Sequence, residues 1–125
     1  MRKIFAAALS VFLLCSATPM AEAHSTLISS LPKNGAVLKA LPREVTLRFN
    51  EELLVIAGKQ PNTLRIASPT GESIVAGLVK VDGNSVSISV NSEQAKKIAG
   101  RYKVSYRVVS ADGHVISGQY YFTIR

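Results

Sequence analysis

Four stretches of this chain place an apolar side chain at every second position. Val45, Leu47 and Phe49 alternate with Glu44, Thr46 and Arg48, and Val86, Ile88 and Val90 alternate with serines. Tyr102, Val104, Tyr106 and Val108 alternate with Lys103, Ser105 and Arg107, and Tyr120, Phe122 and Ile124 alternate with Tyr121 and Thr123. A side-chain period of two belongs to a strand with one face in a core and one in water. Ser25–Ser30, with Leu27 turned inward, Thr63–Ala67 and Ile74–Val81 read as further strands. Turn chemistry separates them: Leu31-Pro32-Lys33-Asn34-Gly35, Gly58 to Asn62, Ser68-Pro69-Thr70-Gly71, the hairpin signal Asp82-Gly83-Asn84, and Asp112-Gly113-His114. Ala36 to Leu41 reads as a short connection closed by Pro42. About seven short strands punctuated in this way predict an all-β domain, an antiparallel Greek-key β-sandwich.

One stretch departs from the pattern. Asn91–Gly100 reads as a helix of one or two turns, capped by Asn91 or Ser92 and stopped by Gly100. Gly100-Arg101-Tyr102, at the entry to a late strand, has the form of a tyrosine corner, in which the phenol bonds back to the main chain. Val45, Leu47, Phe49, Tyr106, Val108 and Phe122 are expected among the buried residues.

The N-terminus is of another kind. Met1-Arg2-Lys3 is followed by an apolar run from Ile4 to Leu14 and by Ala21-Glu22-Ala23. A positive start, an apolar centre and a small-x-small site make a secretory signal peptide over residues 1–23, cleaved after Ala23. Phe12-Leu13-Leu14 ahead of Cys15 argues against lipid attachment there. Residues 24–125 then form a single domain. Both methionines, Met1 and Met20, and the only cysteine fall within the leader. The mature domain therefore has neither a disulfide nor a sulfur ligand, and holds together by packing. It keeps 13 basic and 7 acidic residues. These are scattered rather than interleaved with aromatics, which argues against nucleic acid as a partner. A soluble cationic surface of this kind favours weak contact with anionic membrane surfaces or an acidic partner.

The chain has two histidines. His114 sits at the tip of the Asp112-Gly113-His114 turn, and His24 would be the first residue of the processed protein. An N-terminal histidine offers two donors on one residue, the α-amine and ring Nδ1, and can grip a metal as a chelate. Asp112 and His114 are two apart, so in an extended or hairpin segment their side chains lean to the same side. Taken alone, Asp112 is an Asx-turn residue and His114 an exposed turn residue. Taken with His24, they form a nitrogen and oxygen donor set suited to Zn(II) or Cu(II). Without thiolate or thioether, such a set disfavours Cu(I) and favours Cu(II). Ser110 lies near His114, but no nucleophile elbow surrounds it, and no other catalytic set is present.

These pieces resemble the CopC family of periplasmic copper-resistance proteins, including its small YobA-like members. The resemblance is carried by the signal followed at once by His24; by Ser30-Leu31-Pro32 with Gly35; by Val45-x-Leu47-x-Phe49-Asn50-Glu51; and by Gly100-x-Tyr102-x-Val104. Above all it rests on Arg107 to His114, with Ser117-Gly118 and Phe122. It implies an immunoglobulin-like or cupredoxin-like β-sandwich or barrel. It also implies one Cu(II) per chain, held by His24, Asp112 and His114, with Glu51 as an outer or axial group. Some members carry a methionine-rich Cu(I) site; with no methionine after Met20, none is expected here. The expected function is periplasmic Cu(II) binding for buffering, delivery or resistance, by a monomer without turnover. A membrane copper-transport protein is its candidate partner. Two rivals remain: a histidine-brace copper monooxygenase-like enzyme, and a metal-free β-sandwich interaction module.

Overall fold

Eight strands pair into two sheets in the computed structural model, which describes residues 26–91, 93 and 98–125. They are β1 (Leu27–Leu31), β2 (Val37–Leu38), β3 (Glu44–Phe49), β4 (Thr63–Ala67), β5 (Val75–Asp82), β6 (Ser85–Val90), β7 (Gly100–Val109) and β8 (Val115–Ile124). One sheet has the order β1-β3-β6-β5, the other β2-β8-β7-β4. The alternating stretches form the two sheet centres: β3 pairs with β6, and β7 pairs with β8 over ten residues. Their apolar positions face each other across the sandwich. Val45, Leu47, Phe49, Val86, Ile88, Tyr102, Val104, Val108 and Phe122 are all buried in one cluster, each worth roughly 1.5–3 kcal/mol of burial for a side chain of that size.

The expected all-β sandwich is what forms, with two local differences. The expected connection Ala36 to Leu41 contains β2, which runs parallel to β8 with Val37 beside Thr123 and Leu38 beside Ile124. Main-chain bonds from Gly35 to Tyr121 and between Thr123 and Ala36 hold it there. Tyr106 points inward as the alternation requires but is only half-buried. Its cross-strand partner is Gly118. With no side chain on Gly118, the Tyr106 ring lies over that glycine, and it meets Phe49 edge-on at 5.7 Å between centroids.

Tyr102 makes the corner that its position suggested, donating from its hydroxyl to the Ile98 carbonyl at 2.6 Å and stacking on Phe122. Asn91 Oδ1 accepts the Glu93 N–H at 3.2 Å, as a cap does. Residues 92 and 94–97, the body of the expected helix, lie outside the described residues. Gly100, expected to end that helix, opens β7.

Candidate metal centre

Three connections and the start of β1 converge at one end of the sandwich. The β5–β6 hairpin turns at Gly83-Asn84, the β7–β8 turn spans residues 110–114, and the β3–β4 loop runs from Asn50 to Asn62. Gly83 has φ +58°, a left-handed conformation that a glycine adopts without cost. Main-chain bonds stitch these pieces together. Leu53 N–H donates to the Gly83 carbonyl, Leu54 N–H to Val109 and Ala111 N–H to Glu52, all at 2.8–2.9 Å.

The β7–β8 turn is built on Ser110, whose side chain is fully buried. Its N–H donates to the His114 carbonyl at 2.8 Å, and its carbonyl accepts the Gly113 N–H at 2.9 Å. Its hydroxyl accepts the His114 N–H at 3.1 Å and donates to Asp112 Oδ1 in a short bond. One buried hydroxyl thus fixes both ends of the Asp-x-His segment. The Ser110 hydroxyl does most to hold the Asp112 carboxyl below its ordinary value, against partial desolvation; the facing His114 ring and nearby amides add to it.

Asp112 Oδ2 and His114 Nδ1 lie 3.3 Å apart, each side chain 54% exposed. Glu51 joins them, and one donor atom from each of the three residues lies within 4.8 Å of the others. Donors bound to one ion at about 2.0 Å each sit roughly 3–4 Å apart. The Asp112–His114 separation already fits that range, and a Glu51 carboxylate oxygen lies within 4.8 Å of both. Two carboxylates and an imidazole are hard to borderline donors, suited to a divalent first-row cation. Glu52, whose carbonyl accepts the Ala111 N–H, puts a third acidic residue at this end of a basic chain, which favours a cation locally.

Of the four residues expected at the site, the fold brings Glu51, Asp112 and His114 together. His24 lies outside the described residues. Thr26, two residues further on, is paired with Asn50: its N–H donates to Asn50 Oδ1 at 2.7 Å, and its carbonyl accepts the Asn50 N–H at 3.1 Å.

Two supporting residues escaped sequence reasoning. Ser110 reads as an ordinary serine beside a turn, and its only signal was its place two residues before Asp112. Asn62 reads as a loop residue, yet it is buried at 3% exposure. Its Nδ2 donates to the Leu54 carbonyl and its Oδ1 accepts the Val109 N–H, both at 2.8 Å. It ties the Glu51 loop to the strand that leads into the Asp112 turn.

Known proteins resemble this chain over most of its length. Residues 27–125 match the family model described as the CopC domain. The chain is 32% identical over 107 residues to "Copper resistance protein C" of Escherichia coli, covering 84% of each protein. It is 28% identical over 119 residues to "Protein YobA" of Escherichia coli strain K12, covering 94% of this chain and 92% of that one. Among solved structures, CopC from Methylosinus trichosporium OB3b superposes with a TM-score of 0.66 at 28% identity, over 81% of this chain and 93% of that one. PcoC of Escherichia coli, titled a methionine-rich copper resistance protein, superposes at 0.60 and 29%, over 82% of this chain and 100% of that one. The chain belongs to the CopC domain family.

Proposed function

We propose that this chain is an exported copper carrier that binds one Cu(II) per molecule and buffers or delivers it in the periplasm, as a monomer and without turnover. The observation that carries this reading is the Asp112–His114 pair, 3.3 Å apart, with Glu51 beside it at the end of a CopC-family domain. His24, Asp112 and His114 are the ligands in this reading, with Glu51 as the outer or axial group. The Thr26–Asn50 pairing supports His24. Two residues of chain span at most ~7 Å, and Asn50 adjoins Glu51. The leader over residues 1–23 supports export and leaves His24 first, its α-amine free to coordinate. The oxygen and nitrogen donors support Cu(II), and the lack of methionine after Met20 supports weak Cu(I) binding. A membrane copper transporter is the proposed recipient.

Cu(II) titration of the processed protein, read by electron spin resonance, tests this. A nitrogen and oxygen ligand set at one ion per chain is expected. His114→Ala should lower affinity by more than the ~10–100-fold typical of supporting residues, and Ser110→Ala by an amount within that range. Glu51→Gln should change it little. Unchanged affinity in His114→Ala would remove the proposed site.

A further inference from the structure

The two sheets turn very different faces to solvent. On β1-β3-β6-β5, the charged outward positions are Glu44, Arg48, Lys80 and Asp82, two of each sign. On β2-β8-β7-β4 they are Arg65 on β4 and Arg101, Lys103 and Arg107 on β7, and no outward position of these four strands carries Asp or Glu. Strand register sets each cation beside neutral neighbours: Arg65 opposite Ser105, Lys103 between Ala67 and Tyr121, and Arg107 between Thr63 and Ser117. The Arg101 guanidinium lies over the Tyr121 ring at 3.8 Å. Alternate residues of a strand are ~7 Å apart and adjacent strands ~5 Å, so these charges act together within a Debye length of about 8 Å.

A four-stranded face is broad and gently twisted, without a deep pocket at its centre. Protein interfaces concentrate apolar and aromatic anchors at their centre and move charge to the rim. Here the inner strand β7 carries Arg101, Lys103 and Arg107 through the centre of the face, Arg65 extends the charge to the edge strand β4, and the Tyr121 ring beside Lys103 is capped by the Arg101 guanidinium. That distribution suits a plane of diffuse negative charge better than a shaped protein partner. A groove of about 550 Å³ opens at the β4 edge beside Arg65, Lys103 and Ser105, large enough to take a phosphate headgroup. The carboxylates of Glu51, Glu52 and Asp112 sit at the loop end, off this face, where an anionic surface would repel them.

We propose that the outer face of the β2-β8-β7-β4 sheet docks on an anionic phospholipid surface through Arg65, Arg101, Lys103 and Arg107. Docking in this orientation lays the sandwich flat and leaves the metal-site loops at its edge, clear of the lipid and open to a membrane partner. The metal-binding reading is not needed for it.

Co-sedimentation of the processed protein, beginning at His24, with vesicles tests this. One set contains phosphatidylglycerol and phosphatidylethanolamine in equal parts, the other phosphatidylcholine alone. Binding to the anionic vesicles alone is expected, with loss in ~1 M salt, where the Debye length is ~3 Å. Each surface cation contributes roughly fivefold, so Arg65→Gln/Arg107→Gln should bind on the order of 25-fold more weakly. Arg48→Gln/Lys80→Gln, on the balanced face, should bind as the unaltered chain does. Arg65→Lys/Arg107→Lys should retain binding, since charge rather than guanidinium shape is at work. The proposal falls if the two glutamine doubles lose binding equally, or if the first loses none. It falls too if the lysine double fails to bind, or if the face captures polyglutamate and not the anionic vesicles.

Discussion

Asn62→Ala offers the sharpest test of how the metal-site loops are held. The side chain is 3% exposed and makes two bonds of 2.8 Å to main-chain groups, the Leu54 carbonyl and the Val109 N–H. Truncation removes both and leaves those groups without a partner from this side. An unsatisfied buried donor or acceptor costs ~1–3 kcal/mol. Leu54 and Val109 are half-buried, so water recovers part of the loss, and about 2–4 kcal/mol in all is expected. That is a large share of the ~5–15 kcal/mol that stabilises a small domain. With a urea slope of ~1–3 kcal/mol per molar, the unfolding midpoint should fall by roughly 0.7–4 M. A fall below about 0.5 M at unchanged slope would refute the view that Asn62 braces the loop. Leu47→Ala serves as the comparison. Leu47 is fully buried in the sheet centre, so its truncation should cost a similar ~2–5 kcal/mol without touching the loops. If the brace serves the site, Asn62→Ala weakens Cu(II) binding under native conditions while Leu47→Ala does not. Equal copper affinity in the two variants would confine Asn62 to a structural role.

Gly118→Ala should destabilise by about 1–3 kcal/mol, the usual cost of overpacking, because the new Cβ would sit 2.6 Å from Tyr106 Cζ and displace the ring from Phe49; a neutral effect in urea unfolding would mean the ring moves freely. The Tyr120 hydroxyl is buried beside Ser30 but outside hydrogen-bond geometry, and burial pushes it up to about 12 from 10.0. A raised phenol contributes stability that is fully present below its unfolded value and lost as pH rises through the folded one, so stability should decline between about pH 10 and pH 12. Tyr120→Phe should flatten that decline and leave stability at neutral pH intact; a loss above ~1 kcal/mol there, the worth of an ordinary hydrogen bond, would show the hydroxyl to be bonded. For the N-terminus, protein starting at His24 should bind Cu(II) far more tightly than the same domain with one methionine added in front, by calorimetric titration, and equal affinities would exclude the α-amine as a ligand.

The sheet centres were legible because each has one dry face and one wet face, and that contrast is written into Val45-x-Leu47-x-Phe49 and Tyr102-x-Val104-x-Tyr106-x-Val108. Strand β2 was not, since two residues carry no period and its parallel pairing with β8 depends on the main chain of Gly35, Ala36 and Thr123. Alternation gave the direction of Tyr106 but not its depth, which depends on Gly118 across the strand. At the site, Asp112 and His114 could be read together because a turn holds them two residues apart. Glu51 entered only through family resemblance; its nearness to Asp112 comes from the Ala111–Glu52 and Leu54–Val109 bonds, long-range contacts that leave no local pattern. Ser110 and Asn62 have the composition of turns and loops, so nothing in their neighbourhood announces that they are buried.

The loop end combines two properties that usually oppose each other. Its donors are exposed, at 54% for both Asp112 and His114, yet the main chain that carries them is bonded on every side and footed on a buried serine. A metal held by exposed donors draws little from desolvation and much from preorganisation, and folding has already met the entropy of gathering Glu51, Asp112 and His114. Preorganisation lowers the cost of binding without enclosing the ion. An incoming ligand can therefore reach the metal before the outgoing ones have left. For a copper carrier that combination is more useful than a buried cage, which would raise affinity and block exchange together. Selectivity in the proposed site would then come from donor chemistry rather than cavity size, and an imidazole with carboxylates suits a divalent first-row cation.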